Sequence, residues 1–101
     1  MKPHIKIYMT ALKYDISDPY FPCELTNGEG VDIHHIVGRE ERIENLMLLT
    51  RELHSRYGEI KTAYVFLLEA HRSFLKKNKV KFDNNWFEDK IKHYSIYEEK
   101  C

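Results

Sequence analysis

Two short apolar runs and three stretches of helical spacing divide the chain of 101 residues. Residues 31–36 are rich in β-branched side chains, and residues 45–49 are apolar after Asn45, so each run predicts a short strand. The segment 38–42 between them is charged and predicts a loop. Residues 15–30 contain Asp-Pro, Phe-Pro and Asn-Gly pairs, which indicate turns and loop.

Helical spacing dominates the second half of the chain. Thr50 fits an N-cap before residues 51–57 and Gly58 fits a helix terminator after them, which predicts a short helix. Apolar residues at intervals of three and four over 60–78 predict a longer amphipathic helix. A third helix is expected near 85–94, where the letters Asn-Trp-Phe-Glu resemble a capping box.

The first residues fit two kinds of element. Ile5, Ile7 and Met9 alternate with polar residues as they would in a strand. Ile5, Met9 and Leu12 have instead the spacing of one face of a helix. The pattern therefore leaves strand and helix open for this segment.

Composition is that of one small globular domain. Of the 101 residues 43% are hydrophobic, which suffices for a single modest core. The 16 basic and 16 acidic residues cancel, so net charge alone predicts no nucleic-acid binding, and a polyanion would need a local basic cluster. With two cysteines and no apolar run of membrane-spanning length, we expect a cytoplasmic protein with no membrane partner.

The chemistry-bearing residues are concentrated on the predicted strands and the short helix. His34 and His35 end the first strand, Asn45 begins the second, and His54 lies on the helix after it. Imidazoles bind divalent transition metals, and an unligated imidazole with a pKa near 6.5 can take a proton from water. One cation and one neutral base are the minimum equipment for hydrolysing a phosphodiester.

This arrangement resembles the HNH endonuclease family, whose fold is the ββα-metal unit. The resemblance covers about residues 20–58 and implies an α+β fold, a ββα-metal core with additional C-terminal helices over 59–101, forming one nuclease domain over 1–101. It implies that His34 and His54 bind the metal. It further implies that His35 is the general base and that Asn45 orients the loop, with metal contact as its alternative role.

The resemblance also implies an activity, cofactors and partners. We expect hydrolysis of DNA to 5′-phosphate and 3′-hydroxyl ends with a divalent cation, Mg²⁺ or Mn²⁺ before Ni²⁺ or Zn²⁺. Small free-standing members resemble those of phages and mobile elements, which would place the chain in a host cytoplasm with a second copy or with packaging or replication proteins as partners. A ribonuclease with the same site and a non-catalytic metal-stabilised DNA-binding module remain alternatives, although retention of His35 argues against the module.

Two departures from the family pattern affect the expected metal chemistry. Colicin-type relatives place a further histidine one helical turn after the one matched by His54, and Gly58 stands there in this chain. Many members also hold a structural zinc with two Cys-x-x-Cys pairs, of which only Cys23 is kept. We therefore expect two firm protein ligands for the catalytic metal and no structural zinc.

Further site residues are less sharply defined by the sequence. Five basic residues could contact phosphates, namely Arg39, Arg42, Arg51, Lys76 and Lys77. The three arginines could equally form ion pairs with the neighbouring glutamates, and the two lysines could equally favour their own helix dipole. Asp32 is interpreted as a polar strand residue in preference to a carboxylate that orients an imidazole.

Overall fold

Four helices surround a two-stranded antiparallel sheet in the computed structural model, which describes residues 2–15, 17–57 and 60–98. The α+β class is confirmed, whereas the finer assignment to a ββα-metal core stays a prediction. The elements in chain order are α1 Pro3–Leu12, β1 Asp32–His35, β2 Leu46–Leu49, α2 Arg51–Tyr57, α3 Tyr64–Lys77 and α4 Asn84–Glu98.

The sheet and α2 follow one another as strand, loop, strand and helix. His34 is paired with Met47 and His35 with Leu46 across the antiparallel ladder. Every residue of β2 is buried, which explains its unbroken apolar run. The Thr50 hydroxyl accepts a hydrogen bond from the Leu53 N–H at 3.2 Å, so the predicted N-cap of α2 is confirmed. The predicted stop at Gly58 lies outside the described residues.

Several element boundaries differ from the sequence prediction, and three of the differences involve local turns or caps. Asn45 belongs to a turn of 3₁₀-helix before β2, because its side chain is used to hold the preceding loop. The long helix begins at Tyr64 rather than residue 60, after a separate 3₁₀ turn at Lys61–Ala63. The last helix is capped by Asp83, whose carboxylate accepts from the Trp86 N–H at 3.2 Å, and not by Asn85.

The N-terminal segment, for which the sequence pattern fits both a strand and a helix, is a helix. Tyr8, at 1% exposure, is its buried residue, and the helix packs against the 3₁₀ turn at Ile43–Asn45. Lys13 ends α1 in the left-handed conformation with φ of 59°. The fold thereby brings the first turn of α1, which carries His4, next to the loop that follows β1.

A buried polar network ties α1, the 21–30 loop and α3 together. Glu24 accepts from the Tyr8 hydroxyl at 2.6 Å and lies 2.6 Å from His71 Nδ1, while His71 Nε2 donates to the Ile43 carbonyl at 2.7 Å. The side chains of Glu24 and His71 have no exposed area. Burial opposes a charge on His71, but Glu24 and the carbonyl outweigh it and raise the pKa of His71.

Candidate functional site

Two histidine rings from different elements face each other beside the sheet. His34 comes from β1 and His54 from α2, and their ring centroids lie 4.9 Å apart. His34 is 6% exposed, and its Nε2 is buried with no hydrogen-bond partner among the described residues. An unpaired buried polar atom costs about 1–3 kcal/mol. This nitrogen would therefore gain from a ligand, which fits the metal that the resemblance implies.

The protonation of His34 also suits a metal ligand. Burial, reinforced by repulsion from His54 and His35, lowers the pKa of His34 to about 4. The ring is therefore neutral at pH 7. A neutral imidazole offers a lone pair to a cation, whereas a protonated one does not.

Asp32 orients the second ring of this pair. Its Oδ2 lies 3.1 Å from His54 Nδ1, and its Oδ1 accepts from the Arg51 guanidinium at 3.4 Å. Burial opposes the charge on Asp32, but these two partners outweigh it and lower the pKa of the carboxyl. The interpretation of Asp32 as a plain polar strand residue is therefore wrong. With the Nδ1 proton directed at Asp32, His54 keeps its lone pair on Nε2 for a metal.

His35 is paired with a carboxylate from the loop after β1. Its Nε2 lies 2.7 Å from Glu41 Oε1, and its side chain is 26% exposed. A carboxylate at Nε2 favours the tautomer that carries the proton there, which leaves the lone pair on Nδ1. His4 approaches the other Glu41 oxygen through Nδ1 at 3.7 Å, and the rings of His4 and His35 lie 5.2 Å apart.

Asn45 holds the loop that separates the two strands. Its Oδ1 accepts from the Val37 N–H at 2.9 Å, and its Nδ2 donates to the Glu40 carbonyl at 3.1 Å. The side chain is fully buried. Because both ends of the amide are engaged within the loop, Asn45 acts as the orienting clip that its residue type suggests and is not counted among the metal ligands.

The four histidines described above line one cleft with a volume of about 660 Å³. Two cationic side chains also line it, the predicted Arg39 and the unpredicted Lys61 from the 3₁₀ turn before α3. A cleft that combines imidazoles with two cations can accept a phosphate group. The remaining side chains that matter for this chemistry in its lining are His4, His34, His35, Glu41 and His54.

Arg42 serves the fold and not the cleft. Its guanidinium lies over the Trp86 ring, 5.5 Å from the ring centroid. It also contacts three carboxylates, those of Glu44 at 2.9 Å, Asp83 at 3.5 Å and Glu40 at 3.6 Å. The alternative of internal ion pairs is therefore the arrangement found, and contact between Arg42 and a phosphate stays a prediction.

The other predicted phosphate contacts are spread over the surface. Arg51 is 74% exposed, and its guanidinium donates to the Asp32 carboxylate, which also contacts His54. Lys76 and Lys77 are exposed at the C-terminal end of α3, whereas Tyr64 at its other end lines the cleft. Twelve residues of helix separate these ends by about 18 Å. The structure does not bring the two lysines to the cleft, and contact between them and DNA stays a prediction.

Sequence reasoning missed three side chains of the cleft. Glu41 stands in a run of charged residues in which neighbouring carboxylates are indistinguishable by sequence. Lys61 depends on where the chain turns after α2. His4 gave no signal, because its contact with Glu41 arises only when α1 folds against the loop.

Comparison of the chain with protein-family models, with curated proteins and with solved structures gives no significant match in any of the three. The resemblance to HNH nucleases therefore rests on the sequence motif alone and stays a prediction. Within the described ranges, no helix combines the length and apolar character needed to cross a bilayer.

Proposed function

We propose that this chain is a metal-dependent endonuclease that hydrolyses phosphodiester bonds of DNA. The observation that carries the proposal is the buried Nε2 of His34, which has no partner in the described part of the chain and whose ring faces that of His54. The Nδ1 of His54 is held by Asp32. A ligand pair with one ring fixed by a carboxylate is the usual construction of a histidine metal site. Both rings line the cleft that His35 also lines.

His34 and His54 would hold a divalent cation. Bound there, the cation would supply charge stabilisation for the phosphate oxygens and the leaving oxygen during hydrolysis. The protein ligands are two neutral imidazoles, so substrate oxygens and water would complete the coordination. Water and substrate oxygens in the open positions would allow Mg²⁺ or Mn²⁺ to act in catalysis. The two imidazoles by themselves favour Ni²⁺ or Zn²⁺, which are the alternatives.

His35 acts as the general base in this proposal, and Glu41 positions it. Glu41 holds the proton on Nε2, so Nδ1 takes a proton from a water molecule. The water oxygen forms a bond to phosphorus as the bond from phosphorus to the 3′ oxygen breaks. The leaving oxygen takes a proton from solvent, which gives 5′-phosphate and 3′-hydroxyl ends. Arg39 and Lys61 contact the flanking phosphates from the cleft wall.

Cleavage of supercoiled plasmid with each metal in turn tests the proposal. His35→Ala should reduce the rate by about 10²- to 10⁴-fold, because it removes the base. It should leave cation binding by His34 and His54 nearly intact by calorimetry. His93→Ala, which removes an exposed histidine of α4, is the matched control and should cut at the normal rate.

The same assay separates the alternatives. Cleavage of a structured RNA without cleavage of plasmid would change the substrate to RNA while keeping the site. Failure of the wild-type protein to cut either polymer with any of the four metals would overturn the nuclease proposal. Equal rates for wild type and His35→Ala would overturn the assignment of the base.

A further inference from the structure

We propose a second cation site in the same cleft, formed by His4, His35 and Glu41, that binds a transition metal of the zinc class. One potential ligand atom from each of these residues lies within 4.8 Å of the other two. The three come from two separate parts of the chain, the first turn of α1 and the strand and loop over 35–41. The site shares no ligand with the His34–His54 pair.

The measured separations are close to those of a bound metal. Ligands at about 2.0–2.1 Å from a tetrahedral metal lie about 3.3 Å from each other. Glu41 lies 2.7 Å from His35 Nε2 and 3.7 Å from His4 Nδ1, on either side of that value. The two contacts involve different Glu41 oxygens, Oε1 for His35 and Oε2 for His4. A shift of these partly exposed side chains would bring the three groups onto one ion.

The ligand set defines the class of metal. Two imidazoles and one carboxylate are a borderline-soft set that suits Zn²⁺, Co²⁺ or Ni²⁺ better than Mg²⁺, which prefers oxygen ligands. His4, His35 and Glu41 have side-chain exposures of 21%, 26% and 40%, so a cation can enter from solvent. Their position on the cleft wall leaves a fourth coordination place open to water.

Occupation of this site would switch off the proposed base, a consequence that rests on the proposed function. A neutral imidazole has one lone pair, and Nε2 of His35 is the atom that faces Glu41. If Nε2 binds a metal, the ring proton must reside on Nδ1, which then cannot accept a proton from water. Zinc should therefore inhibit cleavage through His4 and Glu41 while Mg²⁺ or Mn²⁺ supports it.

Equilibrium dialysis of the chelator-treated full chain against Zn²⁺ tests the site without reference to activity. We expect two ions bound per wild-type chain, one per His4→Ala chain and one per His54→Ala chain. His93→Ala is the matched control and should bind two. Glu41→Gln, which keeps the side-chain shape, should also bind one, and far-UV circular dichroism verifies the fold of each variant.

The outcomes separate this inference from the proposed function. Retention of two ions by both His4→Ala and Glu41→Gln would overturn the second site. It would also be overturned if the wild type binds one ion and only His54→Ala fails to bind it. Loss of one ion in His4→Ala together with no loss in His54→Ala would support the second site and refute the His34–His54 metal site. If the nuclease assay succeeds, the zinc concentration that halves the cleavage rate should be at least tenfold higher for His4→Ala than for the wild type. Each rate is compared with that of the same protein without zinc.

Discussion

Replacing His34 with leucine should stabilise the metal-free protein and remove its response to metal. The Nε2 of His34 is buried beside β2 and pairs with nothing in the described part of the chain. The imidazole therefore keeps a desolvated polar atom inside the protein. An apolar side chain of similar size removes that atom without leaving a large cavity.

The size of the effect follows from that single atom. An unsatisfied buried polar group costs about 1–3 kcal/mol. Imperfect packing of leucine in a space shaped for a flat ring would return up to about 1.5 kcal/mol of this. The free energy of unfolding should therefore rise by about 1 kcal/mol without metal. At a cation concentration of 100 times the dissociation constant, the free energy of unfolding should rise by about 2.7 kcal/mol in the protein that retains His34 and should not change in the variant. The protein with His34 should then be the more stable of the two.

Urea unfolding followed by Trp86 fluorescence, with chelator and with Mn²⁺, measures both quantities. Both proteins should also carry His4→Ala, so that the second proposed site does not contribute. His93→Leu in the same background changes an exposed histidine and should shift stability by less than about 0.5 kcal/mol while keeping the metal response. A His34→Leu variant that is less stable than its parent by more than about 0.5 kcal/mol without metal would refute the reasoning. So would a variant that is stabilised by Mn²⁺ as much as its parent is.

Two other substitutions test the contacts around these sites. Asp32→Asn should lower metal affinity at the His34–His54 pair by about 10- to 100-fold in calorimetry, because it removes the carboxylate that orients His54. Glu52→Gln, on the exposed face of α2, is the control. Equal metal affinities of the two variants would show that the contact between Asp32 and His54 is unimportant. Tyr8→Phe should lower the free energy of unfolding in urea by about 1.5–3 kcal/mol, because it removes a hydrogen bond to the buried Glu24. The exposed Tyr20→Phe should change it by less than about 0.5 kcal/mol, and similar losses in the two variants would contradict the role of Glu24.

The sheet and α2 could be predicted because their signals are local. A continuous apolar run, a β-branched run ending in two histidines and a threonine cap each act over a few residues, and the structure places β1, β2 and α2 within one or two residues of the prediction. The N-terminal segment could not be decided in the same way. Its apolar residues fit both periods, and only the burial of Tyr8 against the rest of the fold selects the helix.

The partners of charged side chains could not be predicted, because they depend on tertiary packing. Arg42 had carboxylates two residues away on either side, yet its third carboxylate and its aromatic contact come from Asp83 and Trp86, just before and within α4. Glu24 gave no sign of its role, since its partner His71 lies 47 residues further along the chain. Local sequence therefore located the candidate site but not the groups that orient it.

The way carboxylates are distributed among the histidines supports the roles proposed for them. Every described histidine that is at least partly buried has a carboxylate partner except His34: His54 has Asp32, His35 and His4 share Glu41, and His71 has Glu24.

These contacts divide the rings into three kinds. Both nitrogens of His71 are engaged, so this ring can serve only the fold. His54 and His35 each have one nitrogen held by a carboxylate, which sets the tautomer and leaves the other for a metal or a proton. His34 is buried, neutral at pH 7 and unpaired at Nε2 among the described residues, a combination that costs stability unless a cation binds there. A fold that served only its own stability would place an apolar residue at position 34, and the retention of an imidazole there is the strongest argument that this cleft binds a metal.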